Sequence, residues 1–254
     1  MEILDSAGTL IRSFTTRRSR DSLVTTRLVR DSLRAGMNQV FWNMRYPGAV
    51  SFPNLIMWAG GTQGPLAPPG RYQVRLTAGG VTETREFHYV SDPRVHASGD
   101  DYARQFALLI RIRDRLSDAS RAVIRIRELR GQLDQVTARL DSAAGVANAR
   151  GIRAQADSLR RRLSAVEDSI YQTKNRSGQD PLNYPIRLNN RIAALAGVVG
   201  NGDYRPTDQA QQVFDELSRL LQVQLDQLRQ IVETDVPAFN AMVREANVPA
   251  LIVR

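Results

Sequence analysis

Over the first ninety-odd residues apolar and polar positions alternate in short runs, and from residue 98 they recur every three or four. The change of period predicts an α+β chain in two domains, a β-sandwich followed by a helical bundle. Glu2–Phe14 reads as two short strands around a Ser6-Ala7-Gly8 turn, and Gly36–Arg45 as another, with Val40 and Trp42 on one face. A stretch dense in breakers runs from Pro47 to Gly70. Tyr72, Val74 and Leu76 then alternate with polar residues, and Gly79-Gly80 turns the chain into a last strand over Val81–Val90. Short strands separated by turn signals predict a small antiparallel sandwich over 1–95, with Trp42 as its core aromatic.

The helical half, 96–254, opens on Ser98-Gly99-Asp100-Asp101, a cap followed by the negative charge that suits a helix N-terminus. Tyr102, Phe106, Leu109, Ile112, Leu116, Val123, Ile126, Leu129, Leu133, Val136 and Leu140 form a seam with no proline, predicting a helix over about 100–143. At 1.5 Å per residue it would be about 65 Å long. Ile152, Ala156, Leu159, Leu163, Val166, Ile170 and Thr173 keep an unbroken alternation of four- and three-residue steps, a coiled-coil seam over about 150–174. After a break at Asn175–Pro185, further helices are predicted over about 186–199, 208–234 and 237–246, the last restarting at Asp235 and Pro237. Length matching sets the second and third helices end to end and antiparallel to the first. The expected product is an antiparallel three-helix bundle tapering to a long coiled-coil hairpin with its tip near Gly145–Gly151.

One segment fits neither period. Thr15–Arg34 repeats Arg-Asp-Ser-Leu at residues 20 and 30 and is poor in large apolar residues. It reads as a solvated connection or as a partner-binding insert over 15–35. The candidate contact residues in the second case are Arg17, Arg18, Arg20, Arg27, Arg30 and Arg34.

Composition narrows the classes. The net charge is +9, and Lys174 is the one lysine among 35 basic residues. The excess is shared, with 12 arginines against 7 acids before residue 96 and 23 bases against 19 acids after it. Aromatic residues make up 6%, and the helical arginines have acids nearby, which disfavours nucleic acid as a partner. Planar guanidinium groups suit an anionic protein or lipid surface. The longest apolar run, Ile192–Val199, is far short of a bilayer crossing. Met1–Asp5 reads as strand rather than as a signal peptide.

Candidate chemistry is thin. The absence of cysteine removes disulfides and thiolate sites. His88 and His96 have no third ligand at metal spacing, and Gly60-Gly61-Thr62-Gln63-Gly64 lacks the ending of a phosphate loop. Asp100/Asp101 and Glu167/Asp168 are sequence neighbours, read as capping and solvated charge. Asn175-Arg176-Ser177 fits a glycosylation sequon. We expect no enzyme and no cofactor.

Several strings resemble the C-terminal region of large secreted bacterial proteins built on a sortilin-type, BNR-repeat β-propeller and described as glycosyl-hydrolase-like. They are Glu2–Asp5, Phe41–Gly48, Gly64–Tyr72, Gln179–Asn190 and Arg205–Gln209, with Asp180-Pro181-Leu182-Asn183-Tyr184-Pro185 the most specific. The first half is also similar to the Ig-like domains of flagellar hook-cap proteins. The resemblance implies an Ig-like sandwich, a tail module freed from its propeller, no catalytic residues to carry over, and a periplasmic or extracellular, membrane-peripheral setting. Trp42-Asn43 stands where that family tends to have Trp-Asp. The expected function is a non-catalytic interaction subunit bridging parts of a larger, membrane-embedded assembly, such as a respiratory or photosynthetic one. The alternatives are an accessory domain of a carbohydrate- or peptide-associated propeller protein, for which Trp42, Trp58, Tyr46 and Tyr72 would form an exposed aromatic cluster, and a basic nucleic-acid binder.

Overall fold

The computed structural model describes residues 1–16, 22–28, 34, 36–142 and 148–247. Its architecture is mixed α+β. Five strands, β1 (Glu2–Asp5), β2 (Leu10–Thr15), β3 (Thr25–Arg27), β4 (Gly70–Ala78) and β5 (Val81–Tyr89), form one sheet in the order β3-β2-β1-β4-β5. All pairings are antiparallel except β2 with β3, where the chain returns beside Ser13–Thr15 in the same direction. The Asp5 carboxylate accepts from the N–H groups of Ala7 and Thr9 and so closes the β1–β2 turn. Gly79 and Gly80, with φ of 57° and 84°, supply the two positive dihedrals of a tight β4–β5 hairpin.

The expected strand at 36–45 is not formed. Asn38 takes the Arg34 N–H and donates to the Arg34 and Gly36 carbonyls, Asn43 takes the Arg45 N–H, and Met44 sits at φ 58°. These local bonds engage the Gly36 carbonyl and the Arg45 N–H, and the segment's ladder contact is reduced to an isolated antiparallel bridge between Arg45 and Leu66. Where a sandwich would place a second sheet, irregular chain covers the sheet's inner face. Trp42 meets Tyr72 and Phe87 edge-on, at 5.9 and 6.3 Å, above Ile3, Ile11, Phe14 and Ala67.

Five helices follow: α1 (Gly99–Ser142), α2 (Ala149–Ile170), α3 (Leu188–Val199), α4 (Asp208–Gln230) and α5 (Val236–Glu245). A Ser-x-x-Asp capping box starts α1. The Asp101 N–H donates to Ser98 Oγ while the Ser98 N–H and hydroxyl both donate to the Asp101 carboxylate. With 44 residues α1 is about 66 Å long. Paired residues set the directions. Arg153 with Asp141 and Arg160 with Asp134 make α2 antiparallel to the distal half of α1. α3 continues in that sense, starting where Gln172, just past the end of α2, bonds the Pro185 carbonyl and ending where Gln105 bonds the Val199 carbonyl. Arg111 with Asp215 and Arg115 with the Ser218 carbonyl make α4 parallel to α1.

Two features of the expected bundle differ. The second helix ends at Ile170 rather than 174, because Tyr171 turns to an extended conformation and Tyr171 and Gln172 enter the core. The taper to two helices is replaced by a third rod that continues past Gln230. Ile231–Asp235 form a π turn that leads directly into α5. Pro237 supplies the cause, since it has no N–H to give and its ring would strike the carbonyl four residues back in a regular α-helix. Val236, Phe239 and Val243 of α5 are buried in the same core as α2.

The breaker-rich stretch after Pro47 belongs with the helices. Its two limbs are clamped where the Ala49 N–H meets the Thr62 carbonyl and the Tyr46 N–H meets the Pro65 carbonyl. Between them Ala49 and Phe52 enter the helical core. Ser117 accepts from the Val50 N–H, and the Tyr171 hydroxyl donates to the Asn54 carbonyl. Asn190 exchanges two hydrogen bonds with the Trp58 backbone, at 2.7 and 2.6 Å.

Hydrogen bonds from Ser98 and from Arg205 hold the Asp101 carboxyl at about 2, below its ordinary 3.8. A depressed folded value stabilises the fold above pH 3.8, and that contribution is lost as pH falls through 2. We therefore expect Asp101→Asn to flatten the dependence of the urea midpoint on pH between about 4 and 2, relative to the parent chain.

Candidate interaction surfaces

Three surfaces stand out. The first is a cavity of about 470 Å³ at the junction of sheet and helices. One wall is α1, with Tyr102, Phe106, Leu109 and Ile112, the opposite wall includes Ala193 and Ala196 of α3, and the limb 59–69 runs beside them. Three of its polar side chains hold the junction together. Arg45 donates to the Gly64 carbonyl at 2.8 Å, Arg113 to the Pro47 carbonyl at 3.3 Å, and Gln105 to the carbonyls of Val199 and Gly202. No serine, threonine, cysteine, histidine or lysine lines it among the described residues. The Tyr46 and Phe106 rings meet at a tilt of 60°, with centroids 4.7 Å apart. Burial, with a smaller contribution from the Asp5 charge, pushes the Tyr46 phenol up to about 12. Burial also raises Tyr72, which donates to the Pro68 carbonyl, so both phenols stay neutral near pH 7.

The second surface is a charged cleft where α2 ends. Glu167, read from sequence as solvated, is 2% exposed. Arg127 Nε and Arg130 Nη1 each donate to one of its oxygens at 2.7 Å. The Arg127 guanidinium also lies over the rings of Phe52 and Tyr171, at 4.7 and 5.5 Å. Its neighbour Asp168 is exposed and accepts from Thr173. The sequence reading missed this site, although the spacing of Arg127 and Arg130, three residues apart on one helix face, was a signal available for a shared carboxylate.

The third is the β4–β5 hairpin. Pairing with β1 ends at Arg75, so Leu76–Glu83 project as a two-stranded ribbon with both faces exposed. β5 is an edge strand nine residues long, without proline or bulge. Leu76 is 52% and Val81 65% exposed. The sequence signal was a strand with charged Glu83, Arg85 and Glu86 where a buried strand would carry apolar residues.

The exposed aromatic cluster that the carbohydrate-associated alternative needs is not assembled, and Trp42 lies in the core as expected. Trp42 and Tyr72 pack inward, Tyr46 packs on Phe106, and Trp58 lies apart beside Asn190. His88 and His96 are exposed, and no group of three or more His, Cys, Asp or Glu could hold a metal among the described residues. Of the candidate contact arginines, Arg17, Arg18, Arg20 and Arg30 lie outside the described residues. Arg27 ends β3, and Arg34 is exposed with its backbone tied to Asn38. No described helix is long and apolar enough to cross a membrane. The chain matches no family model, no curated protein and no solved structure with which it was compared.

Two substitutions test these geometries. Glu167→Gln removes one charge from two hydrogen bonds whose arginines are about 40% exposed, and should lower unfolding free energy in urea by about 2 kcal/mol. Gly64→Ala would set a Cβ 2.0 Å from the Tyr46 carbonyl oxygen and 2.5 Å from that of Pro47. Backbone must move to admit it, so we expect a loss of about 3 kcal/mol in the same assay.

Proposed function

We propose that this chain is a non-catalytic structural subunit that docks on and bridges components of a larger protein assembly. The observation that carries the reading is α1, one uninterrupted helix of 44 residues, with the sheet joined to its N-terminal end and the α2 turn at the other. A rod about 66 Å long, braced by α3 and α4 over one part and by α2 over the other, is suited to holding two attachment points at fixed separation. In this reading 1–95 is a sheet-based docking module, a reduced relative of an Ig-like sandwich, and 96–254 is a helical arm. The setting is the extracytoplasmic face of a membrane complex, in keeping with the resemblance to propeller-protein tails. The inward packing of Trp42 and Tyr72 supports this reading over a carbohydrate-associated one, which needs an exposed aromatic platform.

The cysteine-free chain permits a direct test. Arg71→Cys on the sheet and Arg150→Cys near the α2 start, each carrying a photocrosslinker, are returned to the native host and the adducts identified by mass spectrometry. We expect different partner proteins at the two positions. The same single partner at both, or none, would defeat the bridging reading, and adducts to nucleic acid that vanish at high salt would replace it.

A further inference from the structure

The free edge of β5 carries a pattern that selects one occupant. In the β4–β5 ladder the two-residue turn makes Ala78 and Val81 a hydrogen-bonded pair, so Leu76/Glu83, Val74/Arg85 and Tyr72/Phe87 are hydrogen-bonded pairs too. The backbone N–H and C=O groups of Thr82, Thr84, Glu86 and His88 therefore aim away from β4. No other strand meets them among the described residues. A nine-residue edge of this kind, without proline or bulge, is a ready template for strand addition.

The geometry points to a second copy of this chain as the occupant, with β5 pairing antiparallel to β5 of the partner about a two-fold axis at Thr84. A two-fold contact requires a self-complementary strand. Centred on Thr84, the pairing sets Thr84 against its own symmetry mate and Thr82 against Glu86, with a pair of backbone bonds at each of the three hydrogen-bonded positions. Between them, at the closer non-hydrogen-bonded positions, Glu83 faces Arg85 of the partner subunit and Val81 faces the partner's Phe87, each twice. Val81, at 65% exposure, gains an apolar neighbour. Arg85 already donates to Glu83 within the strand at 3.0 Å, so the four charges form an alternating cluster.

The neighbouring registers oppose like charges. An axis at Arg85 keeps outward groups against outward groups but opposes Arg85 to the partner's Arg85. An axis at Glu83 opposes Glu83 to the partner's Glu83, and one at Glu86 opposes Glu86 to the partner's Glu86. Axes at Thr82, Phe87 or His88 bring at most five residues of β5 into register, against seven for the axis at Thr84. Charge and overlap together single out the Thr84-centred register, and the product is a continuous ten-stranded sheet across the dimer.

The inference goes beyond the bridging reading and is independent of it, because its readout is the mass of the isolated full-length chain. Light scattering after size exclusion should give twice the monomer mass at concentrations up to about 100 μM. Thr84→Pro removes an outward-facing donor and none that β4 uses, and should yield monomer with an unchanged circular-dichroism spectrum. Should proline disturb β5 itself, a second pair of variants decides. Glu83→Arg should weaken dimerisation at least about tenfold, and adding Arg85→Glu to it should restore the parent affinity. A parent chain that is monomeric at the highest concentration would overturn the proposal, as would a dimer that survives both Thr84→Pro and Glu83→Arg, or a charge exchange that fails to restore it.

Discussion

A carboxylate with almost no access to water sits where α2 ends, and the architecture is arranged around keeping it satisfied. Glu167 holds two guanidinium groups from α1, one for each oxygen. Without them, burying that charge would cost several kcal/mol. Arg127 is committed further, since its flat face is covered by Phe52 and Tyr171. Phe52 arrives from the sheet side of the chain and Tyr171 from the first residue after α2, so one side chain ties three distant segments. The consequence is a defined position for the loop between Pro47 and Pro65, and through its clamped neck, for the sheet on the helices.

The other arginines act more weakly and in larger number. Arg111, Arg115, Arg153, Arg160 and Arg205 each reach from one helical layer or its flank to another. Most of these contacts are exposed, and each contributes at most about 1 kcal/mol. Their value lies in alignment. An apolar seam of leucine and isoleucine tolerates sliding by a turn, whereas a planar donor that must meet a particular carboxylate does not. The guanidinium-rich composition is therefore only in part a solvated surface. Much of it is internal bracing between helices.

Periodic segments were legible from sequence and long-range insertions were not. The seam of α2 from Ile152 to Ile170 is buried at every position named, because nothing competes with helix over that stretch. In α1 the reading slips at Phe106 and Leu109, which border the junction cavity half-covered, while Leu108 is buried. The strand expected near Trp42 failed because alternation describes side chains only, and Asn38 and Asn43 withdrew the backbone from pairing. Glu167 was misjudged with Asp168 because adjacency in sequence hides that one side chain points inward and the other out. The breaker-rich stretch was recognised as loop, yet no local pattern announces that Phe52 will fill a space between helices formed a hundred residues later. The β5 edge was the reverse case, its charges visible but the segment read only as the last strand of a sandwich.

The π turn at Ile231–Asp235 has a geometric corollary. Along α4 the inward positions step by three or four through Leu228 and Ile231, but the next one, Val236, comes five residues on. A regular helix would swing Val236, Phe239 and Val243 away from the seam by more than a third of a revolution. The wider turn absorbs the surplus residue and resets the phase. One continuous rod can then serve two hosts in succession, α1 and α3 along its first half and α2 along its second, without a loop to change direction.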